Sequence, residues 1–307
     1  MVYRVVTRTS KLALRQAELF LKAMHVVDPT FDAVIMPMAS AADKSSAPIS
    51  TFGGKSSFVK DLDDAVLSGF ADCAVHSLKD MSVENVEGLT LAAVMEREDP
   101  RDVLVSRQVN SLQALPSGAL IGTSSLRRAA QLSVKRPDLK VLPCRGNIQT
   151  RLAKLDRGDF DALILAGAGF ERLGLQEDIT EYLSPDWMLP APAQAVIALH
   201  CRVEDVALRK RLMQVHDLQT ADLVYWERKV VSLLGGHCQM PLAVHASLVD
   251  GAISLEVALG YTNGDNLLRK KCLLVGGTIQ ENLLFVQDFC QDIIQSGGAE
   301  ILQYYKS

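Results

Sequence analysis

Three stretches of the chain put hydroxyls and arginines where strand signals give way to helix signals. They are Arg8-Thr9-Ser10, Thr123-Ser124-Ser125-Leu126-Arg127-Arg128, and Arg145-Gly146-Asn147 through Arg151. A helix N-terminus presents unpaired backbone N–H groups and the positive end of a dipole, so it attracts anions. Arginine adds a planar fork that matches a carboxylate with two hydrogen bonds. One such junction reads equally well as ordinary capping beside solvated arginines. Three together point to a ligand carrying several carboxylates or phosphates.

A second constellation is Val75-His76-Ser77-Leu78-Lys79-Asp80. A strand ends at His76, and ligands of open α/β folds bind at the carboxyl ends of strands. Asp80 there could accept N–H hydrogen bonds, stabilise a developing cation or relay protons, and an ordinary surface ion pair with Lys79 is the competing reading. Cys238 is the third feature, just beyond the helix stop Gly235-Gly236. A helix C-terminus raises a thiol pKa, which disfavours a protease-like nucleophile; a single tethering reaction is less affected. The remaining cysteines, Cys73, Cys144, Cys201, Cys272 and Cys290, fall on or beside apolar elements and read as structural. His200-Cys201 and His237-Cys238 are poor zinc ligands, because adjacent side chains point apart, and no metal site is expected. No strand-linked GxGxxG and no P-loop occurs.

These groups need a scaffold. The 307 residues suit two domains, or three small ones, and 48% hydrophobic with 22% charged residues fits sizeable buried cores. A net charge of -4 argues against general nucleic-acid binding. Apolar runs such as Leu163 to Leu165 and Val196 to Leu199 fall far short of the ~20 residues that span a bilayer, and no signal peptide is apparent. The expected location is the cytoplasm, with reduced thiols.

Strand signals at Tyr3–Thr7, Ala33–Met38, Cys73–His76 and Leu89–Met95 alternate with helix signals, the first helix carrying Ala13, Ala17, Phe20 and Met24 at helical spacing. A long loop, Ala39 to Ser57, precedes a helix at Phe58–Ser68 and is the candidate lid. The acidic run Glu96 to Asp102 reads as a crossover into a second βαβ unit, with strands at 119–121, 140–142 and 162–165 and helices at 126–134 and 148–155. Leu189-Pro190-Ala191-Pro192-Ala193 marks the return. Beyond it, Thr220 is the expected N-cap of a helix carrying Leu223, Trp226, Val230 and Leu233. Asp250-Gly251 and Asn263-Gly264 then separate three antiparallel strands, and a last helix with Ile279, Leu283, Val286, Cys290 and Ile293 on one stripe stops before Gly297-Gly298.

Taken together, Thr7 to Ala13, Val75 to Asp80, Gly122 to Ala129, Arg145 to Asn147 with Thr150 to Leu152, and Cys238 to Pro241 resemble the porphobilinogen deaminases (hydroxymethylbilane synthases), from about Arg4 to the last helix. The resemblance implies an α/β fold of two hinged periplasmic-binding-protein-like domains plus a small C-terminal α+β domain with a three-stranded antiparallel sheet. The expected bounds are 1–97 with 195–215, then 98–194, then 216–307. It implies a monomeric transferase of haem biosynthesis that joins four porphobilinogen molecules with loss of ammonia. A dipyrromethane cofactor would sit on Cys238 by a thioether, and Asp80 would be catalytic. Lys79, Thr123, Ser125, Arg127, Arg128, Arg145, Arg151 and Ala166 match cofactor-binding positions; Arg8, Ser10, Ser124, Arg172 and Gln194 match substrate-binding ones. Asp43, Lys55 and Phe58 match the active-site loop.

The chain departs from the family pattern at Ala42, Ser82, Ala193, Ala195 and His237, four of which replace glycine. If 193 and 195 need positive φ, alanine there costs on the order of 1 kcal/mol or more. Two other readings stay open: a non-catalytic relative that binds linear tetrapyrroles, and a small-anion binding protein on the same fold. Neither partner is nucleic acid or membrane.

Overall fold

Short strands rich in Val, Ile, Leu and Ala, most deeply buried at β3, β5, β8 and β10, alternate with amphipathic helices over most of the chain, and that pattern dictates helices on both faces of mixed sheets. The computed structural model describes residues 2–39, 57–84, 86–237 and 240–306. Two compact units result: Met1–Glu98 with Ala195–Asp222, and Asp99–Gln194 with Leu223–Ser307.

The first unit opens with β1 (Val2–Arg8), α1 (Lys11–Val27), β2 (Asp32–Met38), α2 (Ser57–Leu67), β3 (Cys73–Ser77) and β4 (Leu89–Val94). The chain then builds β5 (Asp102–Ser106), β6 (Leu120–Gly122), α3 (Leu126–Lys135), β7 (Lys140–Leu142), α4 (Ile148–Asp156), β8 (Ala162–Ala166), α5 (Gly167–Leu173) and β9 (Glu181–Tyr182) in the second unit. It returns to the first for β10 (Ile197–Arg202) and α6 (Val206–Leu212). Helix α7 (Leu218–Leu233) leads into β11 (Leu242–Val249), β12 (Ala252–Gly260), β13 (Leu267–Leu274), α8 (Ile279–Ile293) and α9 (Ala299–Tyr304).

The two five-stranded sheets share one design. Their orders are β2-β1-β3-β10-β4 and β7-β6-β8-β5-β9. In each, three neighbouring strands run parallel and the fourth in line is antiparallel to its neighbours. That antiparallel strand, β10 or β5, is the first strand made after the chain enters the unit. Ala13, Ala17, Phe20 and Met24 of α1 are all buried, as their spacing demands, and Phe20 and Met24 join Val5, Val75 and Leu199 on one face of the first sheet. Leu62 and Val66 of α2 cover the other face with Val6 and Ala74.

In the second unit, Leu132 of α3 packs with Leu104, Ile121 and Ile164, while Leu155 of α4 and Phe170 of α5 pack on the opposite face. Helix α3 also touches the C-terminal sheet, where Ser133 Oγ donates to the Thr262 carbonyl at 2.9 Å. That third sheet, β11-β12-β13, is wholly antiparallel. Asp250 and Gly251 both hold positive φ, 50° and 80°, the signature of a tight hairpin turn. The α/β architecture with a three-stranded antiparallel sheet therefore agrees with the sequence reading.

Several local expectations change. Asp102 to Ser106 is a fully buried strand, although the acidic residues before it made the stretch read as a crossover. Thr220 is not the cap of α7: its own N–H donates to Asp217 Oδ1 at 2.7 Å, so the cap stands three residues earlier. The last stripe begins exposed, with Ile279 at 71%, and α9 continues the chain beyond Gly298.

Ala193 and Ala195 adopt φ of 57° and 68° and are buried. Both thus keep the left-handed backbone that glycine would accept without strain. The Ala193 N–H is fixed by Glu227 Oε2 at 2.6 Å, and the Ala195 carbonyl accepts from Glu98 N–H at 3.2 Å. Replacing alanine by glycine in regular backbone destabilises by roughly 0.5–1 kcal/mol. Here relief of strain of order 1 kcal/mol offsets that loss, so Ala193→Gly and Ala195→Gly should hold or raise the urea midpoint. A drop of about 1 kcal/mol at both sites would show that the alanines carry no strain.

Candidate active site

In the first unit, β1 ends at Arg8 and Ser10 caps α1 by accepting the Ala13 N–H at 3.2 Å. Strand β3 runs into a 3-10 turn, Leu78–Asp80, whose start is pinned where Leu78 N–H donates to the Val196 carbonyl at 2.9 Å. A cavity of about 80 Å3 lies where these ends converge, lined by Arg8, Ser10, His76, Ser77 and Asp80 among others. Gln16 Nε2 donates to Ser77 Oγ at 2.8 Å and Thr7 Oγ1 to the Val75 carbonyl at 3.2 Å, which ties α1, β1 and β3 together around it. Asp80 is exposed and Lys79 half-buried. The arrangement offers a cation, a hydroxyl and a carboxylate around one small space. A larger open depression of about 480 Å3 lies between the end of α7 and α9, and none of the described site residues lines it.

The cavity wall has a buried polar backing. His200 Nδ1 lies 2.9 Å from Asp63 Oδ1, and His76 Nε2 lies 3.9 Å from the same oxygen. Burial pushes the His76 imidazole down to about 4, partly opposed by Asp63 and helped by His200. Its Nε2 has no hydrogen-bond partner among the described residues, a state that costs about 1–3 kcal/mol when buried.

In the second unit, Ser125 caps α3 by accepting the Arg128 N–H at 3.4 Å, and its own N–H donates to Thr123 Oγ1 at 3.3 Å. Ser124, exposed, donates to the Cys144 carbonyl at 2.9 Å. Arg127 and Arg128 stand in the first turn, where a helix dipole disfavours cations. Buried Asp102, the first residue of β5, compensates: Arg127 Nη2 is 2.7 Å from one oxygen and Arg128 Nη2 2.8 Å from the other. Arg127 Nη1 also donates to the Leu189 carbonyl at 2.6 Å and Arg128 Nη1 to the Ile164 carbonyl at 3.1 Å. Gln194 Nε2 completes the cage, 2.9 Å from Asp102 Oδ1 and 2.7 Å from the Pro100 carbonyl. Despite its burial, Asp102 is held well below the usual carboxylate range by the two arginines.

Asn147 caps α4, accepting the Thr150 N–H at 2.8 Å, and Arg151 Nε donates to the Gly146 carbonyl at 2.8 Å. The Arg151 guanidinium is lowered by burial first and then by Arg128, with Arg145 adding to it. Ala166 sits at the N-terminal boundary of α5, and Arg172 is buried on that helix. At the end of α7, Gly235 with φ 62° and the bonds Gly235 N–H to Ser232 and Gly236 N–H to Val231 form a Schellman stop, as the sequence implied. A Cβ on Gly236 would meet Leu242 Cδ2 at 2.7 Å, so a larger residue there needs the Leu242 side chain to move. His237 follows; burial first, then Lys306, lowers its pKa. Cys238, Asp43 and Lys55 lie outside the described residues, as does the side chain of Phe58.

Against known proteins, the family model described as "Porphobilinogen deaminase, dipyromethane cofactor binding domain" matches residues 3–210. Proteins named porphobilinogen deaminase from Paraburkholderia phytofirmans and Paraburkholderia phymatum are each 42% identical over 300 residues. The match covers 97% of this chain and 88% and 92% of theirs. The chain belongs to the porphobilinogen deaminase family. Solved structures to which it shows similarity include the methionine-binding protein MetQ, at 11% identity and a TM-score of 0.44 over 74% of this chain and 94% of that one. A periplasmic substrate-binding protein from Coxiella burnetii aligns at 16% identity and a TM-score of 0.44, over 72% and 94%.

The family's dipyrromethane cofactor carries carboxylates, and the second unit fits such a group. Arg128 Nε is buried with no partner among the described residues, Ser124 and Arg145 are exposed, and Arg151 is crowded by like charge. An anion would relieve all of these. Sequence reasoning missed Asp102, Asp63 and Glu227, because each acquires its meaning from partners far along the chain. The composition of the run Glu96 to Asp102 gives no sign that its last residue is buried.

Asp102→Asn leaves two buried guanidiniums without a carboxylate, and breaking such a pair destabilises by about 3–5 kcal/mol. Because the folded-state pKa is depressed, the stability from Asp102 is complete above the ordinary carboxylate range and lost as pH falls through the depressed value. Urea unfolding at neutral pH should show the full loss in Asp102→Asn, with the gap to the parent narrowing in acid. Equal stability at neutral pH would refute the role of Asp102.

Proposed function

We propose that this chain is a hydroxymethylbilane synthase. It joins four porphobilinogen molecules head to tail, releasing one ammonia at each addition, and adds one water to free hydroxymethylbilane. The observation that carries this reading is the cavity of the first unit, where Arg8, Ser10 and Asp80 converge within a chain whose likeness to porphobilinogen deaminases runs over 97% of its length.

Each substrate pyrrole brings two carboxylates and an aminomethyl group. Arg8 and the capped N-terminus of α1 bind and orient one carboxylate, with Ser10 bonding beside it. Asp80 faces the opposite need: it accepts the pyrrole N–H and stabilises positive charge as the carbon–nitrogen bond to ammonia breaks. Lys79, next to it, is a further cation for the acidic chain. In the second unit, Arg127, Arg128, Arg145 and Arg151, with Thr123, Ser124 and Ser125, hold the accumulating carboxylates; Ala166, Arg172 and Gln194 shape the same region. The dipyrromethane group, held by a thioether on Cys238, supplies the primer to which the first substrate pyrrole is joined. Asp43, Lys55 and Phe58 match positions of the family's active-site loop.

The reading extends to a cytoplasmic monomer of three domains, residues 1–97 with 195–215, 98–194 and 216–307. No described helix is long and apolar enough to cross a membrane. A non-catalytic tetrapyrrole binder is disfavoured by Ala193 and Ala195, which preserve a glycine-like backbone despite the substitutions.

Purified protein should have an intact mass above that of the sequence by one two-pyrrole unit, and Cys238→Ser should lack it; an unmodified parent after expression in a haem-producing cell sinks the reading. Asp80→Asn should keep that added mass and its near-UV spectrum while ammonia release falls at least ~100-fold. Undiminished release would remove Asp80 from the chemistry.

A further inference from the structure

We propose that Asp63, His76 and His200 form a site for one first-row divalent transition-metal ion, with Zn2+ as the reference occupant. The three donors come from three elements that the fold holds rigidly. Strands β3 and β10 are antiparallel neighbours, with His76 opposite Ala198 and His200 opposite Ala74. Residues two apart on a strand share a face, so both imidazoles stand on the same face as diagonal neighbours. Helix α2 covers that face, and its Asp63 is buried against them, at 5% exposure like each histidine.

The donor spacing suits a small cation. Tetrahedral bonds of 2.0–2.1 Å place ligand atoms ~3.3 Å apart. Asp63 Oδ1 lies 2.9 Å from His200 Nδ1 and 3.9 Å from His76 Nε2, values on either side of that spacing, and the three donors lie within 4.8 Å of one another. Side-chain rotations would bring the two Asp63 separations to a common value about a central ion. Without a cation the cluster is incomplete: Asp63 bonds His200, and His76 Nε2 has no hydrogen-bond partner among the described residues. Two imidazoles with one carboxylate select zinc-like ions over magnesium or calcium, which take oxygen sets.

Approach is available as well. His76 lines the same cavity as Arg8 and Asp80, while Asp63 and His200 lie behind it, so an ion would enter past the His76 ring. The thiols of Cys73 and Cys201 pair across the ladder on the opposite face, so the site holds no sulfur ligand. The proposal stands apart from the deaminase reading, because its test measures metal and not turnover.

Full-length protein, stripped with a chelator, would be titrated with Co2+ and then with Zn2+. The expected result is a visible d–d band that saturates at one equivalent, without the intense near-ultraviolet absorption of cobalt–thiolate bonds. One equivalent of Zn2+ should abolish the band and raise the Tm. Asp63→Asn and His200→Gln should each weaken binding at least ~100-fold. No band together with no Tm shift overturns the proposal, and so does an unchanged band in both folded variants. If neither variant folds, X-ray absorption of the zinc-loaded parent decides: nitrogen and oxygen donors at about 2.0–2.1 Å support the site, and a sulfur donor refutes it.

Discussion

Burying Asp102 at 0% exposure beneath two arginines is the interaction on which the second unit depends. Two cations in the first turn of α3 oppose the helix dipole, and two guanidiniums out of water face a large desolvation penalty. The carboxylate of β5 answers both with short bonds to each arginine, and Gln194 fixes its remaining orientation. Such networks contribute little net stability compared with an apolar core; what they specify is position. Here they fix the N-terminus of α3 against β5, with Ser124 exposed and Ser125 half-buried, while Arg128 Nε is buried without a partner among the described residues. A rigid cationic scaffold is thus in place before any ligand arrives, which lowers the ordering penalty of binding.

The two five-stranded sheets repeat one strand order, yet they are equipped for opposite chemistry. Carboxyl ends of parallel strands are where α/β folds gather functional groups, because the strand-to-helix turns leave backbone N–H groups unpaired there. In the first unit the ends of β1 and β3 deliver Arg8, Ser10 and the exposed carboxylate of Asp80. In the second, the ends of β6, β7 and β8 lead to helices carrying Arg128, Arg151 and Arg172, with Arg145 in the turn before the second of them. On the reading proposed above, negative charge suits the reacting pyrrole nitrogen, and clustered arginine suits carboxylates that accumulate with each addition. One topology serves both because the difference lies in the residues at the turns, not in the ladder.

Much of this could be read in the sequence because it is local. Ala13, Ala17, Phe20 and Met24 announce α1 by spacing alone, and Asp250-Gly251 announces its hairpin by the backbone those residues tolerate. Ser10, Ser125 and Asn147 are caps recognisable from one turn of helix. What stayed hidden is non-local. Asp102 meets Arg127 and Arg128 some two dozen residues on, and Asp63 meets His200 from a strand 137 residues further along the chain. Strand β5 was masked by its acidic prelude, and the true cap of α7 by an equally plausible threonine three residues later. Pattern reading ranks local partners; only packing reveals that a charged residue is buried with a distant one.

The substituted glycines test how far a backbone can be dictated from outside. Ala193 would relax to negative φ in a free peptide, since its Cβ disfavours the left-handed region. It is prevented by Glu227, itself fully buried, whose two oxygens accept the Ala193 and Ala246 N–H groups at 2.6 and 2.7 Å. Releasing Ala193 would leave a buried carboxylate oxygen without its donor, a larger penalty than about 1 kcal/mol of backbone strain. At Ala195 the Glu98 N–H holds the carbonyl in the same way. Hydrogen bonds from neighbouring elements therefore do what glycine's freedom would otherwise permit, and they hold the left-handed backbone of Ala193 and Ala195 where the chain passes from one unit to the other.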